Sequence, residues 1–213
     1  MFYMRILFQG DSITDCGRNR GDNNSVGTGY PLLVKSKLSL QGGKDYEFFN
    51  RGISGNRIND VFARIKADII NLAPDYMSML IGVNDVWHEI NWQNGVDTDE
   101  FIFLYDRLLT QVKEALPNIK IVLLAPFVLE GGATADCEEI PNRLVRFQEG
   151  VAEKAKAVEE LAQKHNLPCI TLQDKFDEVA ARFGADVLTP DGVHPHPAGH
   201  QLIADAWLEV FNR

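Results

Sequence analysis

Ser12 is the first residue whose position suggests chemistry, because it follows Gly10 and Asp11 where a strand-like apolar run ends. Asp15 stands three residues after Ser12, at capping-box spacing, so the serine can be a nucleophile or the cap of a helix. A serine hydroxyl becomes a useful nucleophile only when a neighbouring base removes its proton. The choice between the two roles therefore depends on residues elsewhere in the chain.

A second feature is the segment TPDGVHPHP, which places Asp191 three residues before His194 in a loop bounded by prolines. This spacing lets a carboxylate reach Nδ1 of the imidazole while Nε2 faces outward. A histidine held in this way is a suitable general base for a serine, and the acid stabilises the imidazolium that forms. We therefore predict that Ser12, His194 and Asp191 act together as nucleophile, base and orienting acid.

Acyl transfer also needs hydrogen-bond donors for the negative oxygen of the tetrahedral intermediate. Three candidate donors are the backbone amide of Ser12, the backbone amide of Gly52 and the side-chain amide of Asn84. Glycine allows close approach of the backbone because it has no Cβ, and asparagine is a neutral donor over a wide pH range. We predict an oxyanion hole built from these three groups.

The chain alternates short apolar runs with longer segments of helical period, and these elements must position the candidate residues. The runs are RILFQG (5–10), YEFFNRG (46–52), YMSMLIG (76–82), IKIVLLAP (119–126) and PCITL (168–172). The helical segments cover roughly 28–40, 56–72, 98–115 and 141–165, and two more follow the fifth run. This pattern predicts an α/β fold with a five-stranded parallel sheet covered on both faces. Because ligands of such sheets bind beyond the carboxyl ends of the strands, we expect the polar segments after the first three strands to share one edge.

Four short segments occur in order along the chain: GDSITD (10–15), NRGISGNR (50–57), IGVND (81–85) and DGVHP (191–195). Together they resemble the SGNH or GDSL hydrolase family, with Ile13 where the family name has leucine. The resemblance implies a flavodoxin-like three-layer α/β/α sandwich. It also implies the same roles for the serine, the histidine and the two oxyanion donors as the residues themselves suggest.

Within that family, the short chain and its tryptophans look most like small intracellular carbohydrate O-acetylesterases, including those that deacetylate xylo-oligosaccharides. The segment GVNDVWHEINWQNG is predicted to be a loop beside the oxyanion hole, and Asp11, Trp87 and Trp92 are predicted substrate-binding residues. Aromatic faces suit the apolar side of a sugar ring. Residues 16–30 and 86–97 both remain candidates for the segment that covers the substrate.

Two other functions remain open at this point. The same machinery acting on longer acyl chains would make a lysophospholipase or a thioesterase. A relative that keeps the fold but lacks catalysis would be a carbohydrate-binding module, although retention of all three candidate catalytic residues argues against it. The prediction we favour is a serine esterase for small acyl groups, most simply acetyl, on a carbohydrate.

Composition excludes several classes of partner. The chain has 21 basic and 30 acidic residues, a formal net charge of −9 and no basic run, so nucleic acid and anionic membranes are poor partners. The opening MFYMRILF leaves no room for a signal-peptide core, and no later segment approaches the length of a membrane span. We therefore expect a cytoplasmic protein without membrane insertion.

The size of the chain and its cysteines set the remaining expectations. With 213 residues and 45% apolar content, residues 1–213 can form a single domain. Cys16, Cys137 and Cys169 are few and widely spaced, which argues against a disulfide framework or a metal site. We expect no metal, no cofactor and a small-molecule ester as partner; a homo-oligomer is compatible with the sequence, but no stretch demands one.

Overall fold

The computed structural model describes residues 3–212, which contain a five-stranded parallel sheet with the strand order β2-β1-β3-β4-β5. The strands are β1 (Met4–Gly10), β2 (Tyr46–Asn50), β3 (Tyr76–Leu80), β4 (Lys120–Leu124) and β5 (Cys169–Ile170). Each lies within or beside one of the predicted apolar runs. The parallel α/β architecture predicted from the alternating pattern is thus confirmed.

Helices cover both faces of the sheet. They are α1 (Ser12–Asp15), α2 (Tyr30–Gly42), α3 (Ile58–Ala63), α4 (Val83–Trp92), α5 (Thr98–Ala115), α6 (Arg143–His165), α7 (Gln173–Phe183) and α8 (Pro197–Phe211). The core on one face contains side chains of α2, α7 and α8, and the core on the other contains side chains of α3, α5 and α6. The side chains of successive strand residues point to opposite faces of the sheet, so Phe8 lies in the first core and Leu7 in the second. The result is a three-layer α/β/α sandwich.

The register of the sheet aligns the ends of its first three strands. Phe8 of β1 pairs with Asn50, the last residue of β2, and Gly10 pairs with Leu80, the last residue of β3. The chain therefore leaves all three strands at one edge, and the segments that follow them lie together there. This is the edge at which the sequence predicted the polar residues to meet.

Local signals account for the helix starts near this edge. Asp97 caps α5, because its side chain accepts a hydrogen bond from the amide of Glu100 at 2.8 Å. Pro197 begins α8 at a position where a missing amide does no harm. Among residues 3–212, no helix combines the length and the apolar content that crossing a membrane requires.

Two segments differ from the sequence prediction. Residues 83–92 form the helix α4, whereas the segment was predicted to be a loop. An apolar pattern at helical spacing is present and faces the core, formed by Val83, Val86 and Ile90. The polar residues Asn84 and Asp85 interrupt this pattern in the sequence and obscured it. The single helix predicted over 56–72 is divided into α3 and a π-helical turn at Lys66–Ile70.

Candidate active site

Ser12 lies at the carboxyl end of β1, where the chain turns directly into the four-residue helix α1. The cap of this helix is Asp11, whose side chain accepts the amide hydrogen of Ile13 at 3.0 Å. Ser12 is therefore the first residue of the helix and not its cap, and its side chain is free for another contact. Its own amide is one of the groups that a helix start leaves without an intrahelical partner.

A continuous line of hydrogen bonds joins Ser12 to His194 and Asp191. The hydroxyl oxygen of Ser12 lies 2.8 Å from Nε2 of His194, and Nδ1 of the same ring lies 2.6 Å from Oδ2 of Asp191. The other carboxylate oxygen of Asp191 accepts the amides of Val193 at 2.9 Å and of His194 at 2.8 Å. The structure thus brings together the three residues predicted to be nucleophile, base and acid.

The negative charge of Asp191 and a positive charge on His194 stabilise each other. Burial by itself raises the pKa of Asp191, but the hydrogen bonds from the His194 ring and from the two amides outweigh it and bring the pKa to about 2. The hydrogen bond with Asp191 raises the pKa of His194 above its ordinary value, although burial opposes this. Asp191 is therefore ionised at neutral pH, and it is placed to stabilise a proton on His194.

A loop after β4 supports the turn that carries Asp191. The carbonyl of Gly192 accepts the amide of Leu129 at 2.8 Å, and the carbonyl of Asp191 accepts the amide of Ala133 at 2.9 Å. The buried hydroxyl of Thr134 donates to the carbonyl of Leu129 at 2.7 Å and closes the loop on itself. A Cβ at Gly192 would lie 2.4 Å from that same carbonyl, so only glycine allows the two segments to pack this closely.

The two predicted oxyanion donors besides Ser12 are placed differently. Asn84, at the start of α4, uses one side-chain N–H to donate to the carbonyl of Asn56 at 3.2 Å, which leaves its second N–H for another acceptor. The amide of Gly52, in contrast, donates to Oδ1 of Asn50 at 2.9 Å. A Cβ at Gly52 would lie 2.4 Å from the Asp15 nitrogen, so this glycine is required for packing against α1. The predicted use of the Gly52 amide as an oxyanion donor does not fit these contacts.

Gly55, three residues further on, was missed by the sequence reasoning. Its φ of +83° lies in the left-handed region, and its amide has no hydrogen-bond partner among residues 3–212. It stands between Ser54, which lines the same cavity as Ser12, and Asn56, which contacts Asn84. Both glycines belong to NRGISGNR, and only the backbone conformation distinguishes the packed glycine from the one with a free amide.

The predicted substrate contact of Asp11 also needs correction. Asp11 is fully buried beneath α1, so it is not accessible to a substrate. Burial raises the pKa of Asp11, and although the hydrogen bond from Ile13 and the positive charge of His194 oppose this, the resulting pKa is about 7. Asp85, next to Asn84, is a comparable buried acid that accepts the amide of Ile58 at 3.0 Å. Each of these carboxyl groups accepts a backbone amide and so fixes the chain at this edge of the sheet.

The two tryptophans lie at different distances from the catalytic histidine candidate. The Trp87 ring is 5.7 Å from the His194 ring and packs edge-on against Phe147, so it stands beside the site and is partly buried. Trp92 ends α4 with 62% of its surface exposed, and its ring contact is with His88. The structure therefore brings Trp87, but not Trp92, into contact with the predicted catalytic residues.

A cavity of about 560 Å³ opens in front of Ser12. Ser12, His194 and Ser54 form part of its wall, and the segment after α1 supplies Cys16 and two arginines. Cys16 is half-buried, with its sulfur 3.4 Å from Nε2 of His200. Of the two segments left open as covers for the substrate, residues 16–30 are thus the one that borders this cavity. Within the described part of the chain, no group of three or more His, Cys, Asp and Glu side chains is placed to hold a metal ion.

Known proteins are similar to this chain in sequence and in fold. The family described as "GDSL-like Lipase/Acylhydrolase family" matches residues 8–202. An acetylxylan esterase of Geobacillus stearothermophilus is 35% identical over 211 residues, which cover 96% of this chain and 92% of that protein. These matches extend over all four sequence segments that carried the resemblance.

Solved structures agree over nearly the whole chain. A protein of Parabacteroides merdae described as a GDSL-like lipase superposes with a TM-score of 0.91 at 34% identity, covering 100% of this chain and 97% of that one. The crystal structure of the Geobacillus acetylxylan esterase gives a TM-score of 0.84 at 31% identity, covering 98% and 94%. A variant of the same enzyme is described as an acetyl-xylooligosaccharide esterase.

Proposed function

We propose that this protein removes acetyl groups from carbohydrates through an acyl-enzyme. The chain belongs to the GDSL-like lipase/acylhydrolase family and is a carboxylic ester hydrolase. The observation that carries the proposal is the unbroken line of hydrogen bonds from Ser12 through His194 to Asp191 at the wall of an open cavity. The similarity to an acetylxylan esterase supports the choice of acetyl and of a carbohydrate.

In the first half of the reaction, Nε2 of His194 accepts the hydroxyl proton as Ser12 attacks the ester carbonyl. The tetrahedral intermediate then collapses, the C–O bond to the sugar breaks, and His194 gives the proton to the leaving alcohol. Water activated by His194 hydrolyses the acetyl-serine in the second half and restores the serine hydroxyl. Asp191 holds the ring orientation throughout and stabilises the positive charge on it.

The negative oxygen of each intermediate needs donors already aimed at it. The amide of Ser12 and the second side-chain N–H of Asn84 are two of these donors in our proposal. The third is the amide of Gly55 instead of that of Gly52, because the Gly52 amide already donates to Asn50. Three neutral donors at the end of a sheet stabilise the oxyanion without a metal ion.

The surroundings of Ser12 suit a polar substrate of moderate size. A cavity of about 560 Å³ lies within the usual range for small-molecule sites, and hydroxyl, imidazole and guanidinium groups contribute to its wall. Trp87 presents a partly buried ring beside His194, where an apolar face of a sugar can pack. Trp92 has no part in the proposal.

The test of the mechanism is the replacement Ser12→Ala, with the exposed Ser36→Ala on α2 as the matched control. Hydrolysis of 4-nitrophenyl acetate is expected to fall by a factor of about 10⁴ or more in the first variant and to be unchanged in the second. Mass spectrometry of the wild type, quenched during turnover, is expected to show an added acetyl group on Ser12. Wild-type rates for Ser12→Ala would overturn the mechanism.

The substrate is tested separately. Acetylated xylo-oligosaccharides incubated with the enzyme are expected to lose acetyl mass, and 4-nitrophenyl esters from acetyl to decanoyl are expected to be hydrolysed fastest at the short end. A long-chain optimum would instead indicate a lysophospholipase or thioesterase. Absence of hydrolysis together with failure to label Ser12 by an organophosphonate would indicate a catalytically silent relative.

A further inference from the structure

Two arginines line the same cavity as Ser12. Arg18 and Arg20 belong to the turn that follows α1, and both contribute to the cavity wall along with Ser12 and His194. Arg20 is about half exposed, and its Nη2 donates to Oδ2 of Asp15 at 2.7 Å. Positive charge is therefore present next to the nucleophile, and the proposed mechanism makes no use of it.

Arg18 has unused hydrogen-bond donors. The residue is only 9% exposed, and its Nε donates to the carbonyl of Gly52 at 2.8 Å. A guanidinium has five N–H donors, and within residues 3–212 no partner is found for the four on its Nη atoms. Neither Nη atom is among the fully buried unpaired atoms, and Arg18 lines the cavity, so these donors are accessible to an acceptor that enters it.

The local charge around Arg18 is positive, although the protein as a whole carries −9. Electrostatic neighbours of this side chain include two more arginines and two aspartates: Arg20, Arg51, Asp15 and Asp68. Asp15 is already bound by Arg20 and by the amide of Ser54, and Asp68 forms ion pairs with Arg51 and with Arg64. Burial and the neighbouring arginines lower the pKa of Arg18, and the aspartates offset this only in part. Among the described residues, Arg20, Arg51 and Arg64 each form an ion pair with one of these aspartates, whereas Arg18 forms none.

We propose that Arg18 and Arg20 form an anion subsite that binds a carboxylate carried by the ester substrate close to the scissile bond. The planar fork of a guanidinium matches a carboxylate, which it can bind through two parallel hydrogen bonds. This inference rests on the proposed function and gives it a narrower substrate class. On a carbohydrate the carboxylate is that of a uronic acid, so the substrate is an acetylated acidic sugar or an oligosaccharide that bears one.

The test compares charged and neutral members of matched ester pairs by kcat/KM. The first pair is the O-acetylated methyl glycoside of glucuronic acid and that of glucose. A second pair, 4-acetoxybenzoate and 4-tolyl acetate, asks the same question without a sugar. The third pair, the 4-nitrophenyl esters of adipic half-acid and of hexanoic acid, places the carboxylate on the acyl side.

Wild-type enzyme is expected to prefer the charged member of the first two pairs by about tenfold. Arg18→Gln is expected to remove the preference and Arg20→Gln to reduce it, while Arg107→Gln, an exposed arginine on α5, changes net charge equally and retains it. If Arg18→Gln does not fold, the exposed Arg20 variant and the control still decide the question. An equal preference in the Arg20 variant, the control and the wild type would overturn the subsite.

The outcomes separate this inference from the proposed function. If the two sugar acetates are hydrolysed at equal rates, the subsite is wrong and the carbohydrate acetylesterase stands. If neither sugar is hydrolysed but the charged aryl acetate is preferred in an Arg18-dependent way, the subsite stands and the carbohydrate assignment is wrong. A preference confined to the adipate pair overturns the assignment of the carboxylate to the sugar.

Discussion

Replacing Asp191 by asparagine tests the catalytic line of hydrogen bonds most directly. In the structure, one carboxylate oxygen accepts two amides and the other accepts from Nδ1 of His194. Asparagine has one acceptor oxygen, so it cannot keep all three bonds. With that oxygen toward the amides, the variant keeps two bonds and presents its NH₂ group to Nδ1.

This orientation is the more stable one, because the opposite orientation points the NH₂ group at two amide donors. His194 must then accept at Nδ1, so its proton moves to Nε2, the nitrogen that faces Ser12 at 2.8 Å. A protonated Nε2 cannot take the hydroxyl proton. Loss of the correct tautomer and of the charge that stabilises the imidazolium is expected to lower kcat by about 10⁴, or about 5.5 kcal/mol in the barrier.

The assay is steady-state hydrolysis of 4-nitrophenyl acetate at pH 8, with thermal unfolding of each protein as a check on the fold. Asp186→Asn is the matched control, since Asp186 is an exposed acid in the helical turn Ala185–Val187, shortly before Asp191 in the sequence. The control is expected to behave as wild type in both measurements. A folded Asp191→Asn protein that keeps more than about a tenth of the wild-type kcat would refute the tautomer argument.

Three further predictions follow from the same geometry. Asn84→Ala removes one proposed oxyanion donor, so kcat for 4-nitrophenyl acetate is expected to fall by about 10² to 10³ with little change in KM. A loss of less than threefold would contradict that role. The wild-type rate is expected to rise with pH through the pKa of His194, which lies above 6.5, because His194 must be neutral to act as the base. Asp191 has a pKa of about 2 and therefore adds no second step above pH 4. A midpoint below 6.5 would contradict the pairing of His194 with Asp191. The pKa of His200 is lowered to about 4 by burial and by the charge of His194, so the unfolded chain binds a proton at this residue at a higher pH than the folded chain does. The contribution of His200 to stability therefore falls by about 3 kcal/mol between pH 7 and pH 4. Urea unfolding of His200→Gln should lose less stability over that range than wild type or the exposed control His196→Gln, and equal losses would refute the assignment.

The sequence predicted the arrangement of the sheet well because the relevant signals are periodic. Apolar runs followed by helical segments define a parallel sheet, and a parallel sheet places the ends of its strands at one edge. That rule alone brings Ser12 and Asn84 to the same place. The pairing of Ser12 with His194 across 182 positions needed the D-x-x-H spacing as well, since nothing near Ser12 identifies its partner.

The errors arose where function depends on backbone conformation or burial. Gly52 and Gly55 look alike in the sequence, but one packs against α1 and the other turns with positive φ. Asp11 looks like an accessible polar residue, yet the fold buries it completely at the start of the helix α1, whereas Asp97, the cap of α5, is exposed. Neither a dihedral angle nor a depth of burial can be read from residue type, so these assignments required the fold.

The position of α8 has a consequence for when the enzyme becomes active during its synthesis. This helix and the turn before it are the last elements of the chain, yet Trp207 of α8 packs against Phe8 of β1 and against Tyr76 of β3. His200, also on α8, accepts the amide of Tyr30 at 3.1 Å. A growing chain on the ribosome therefore has an incomplete core, and Ser12 lacks its proposed base, until residues 191–211 emerge. We expect hydrolytic activity to begin only once α8 has packed against the sheet, and proteolytic removal of residues 191–211 to abolish activity and stability together.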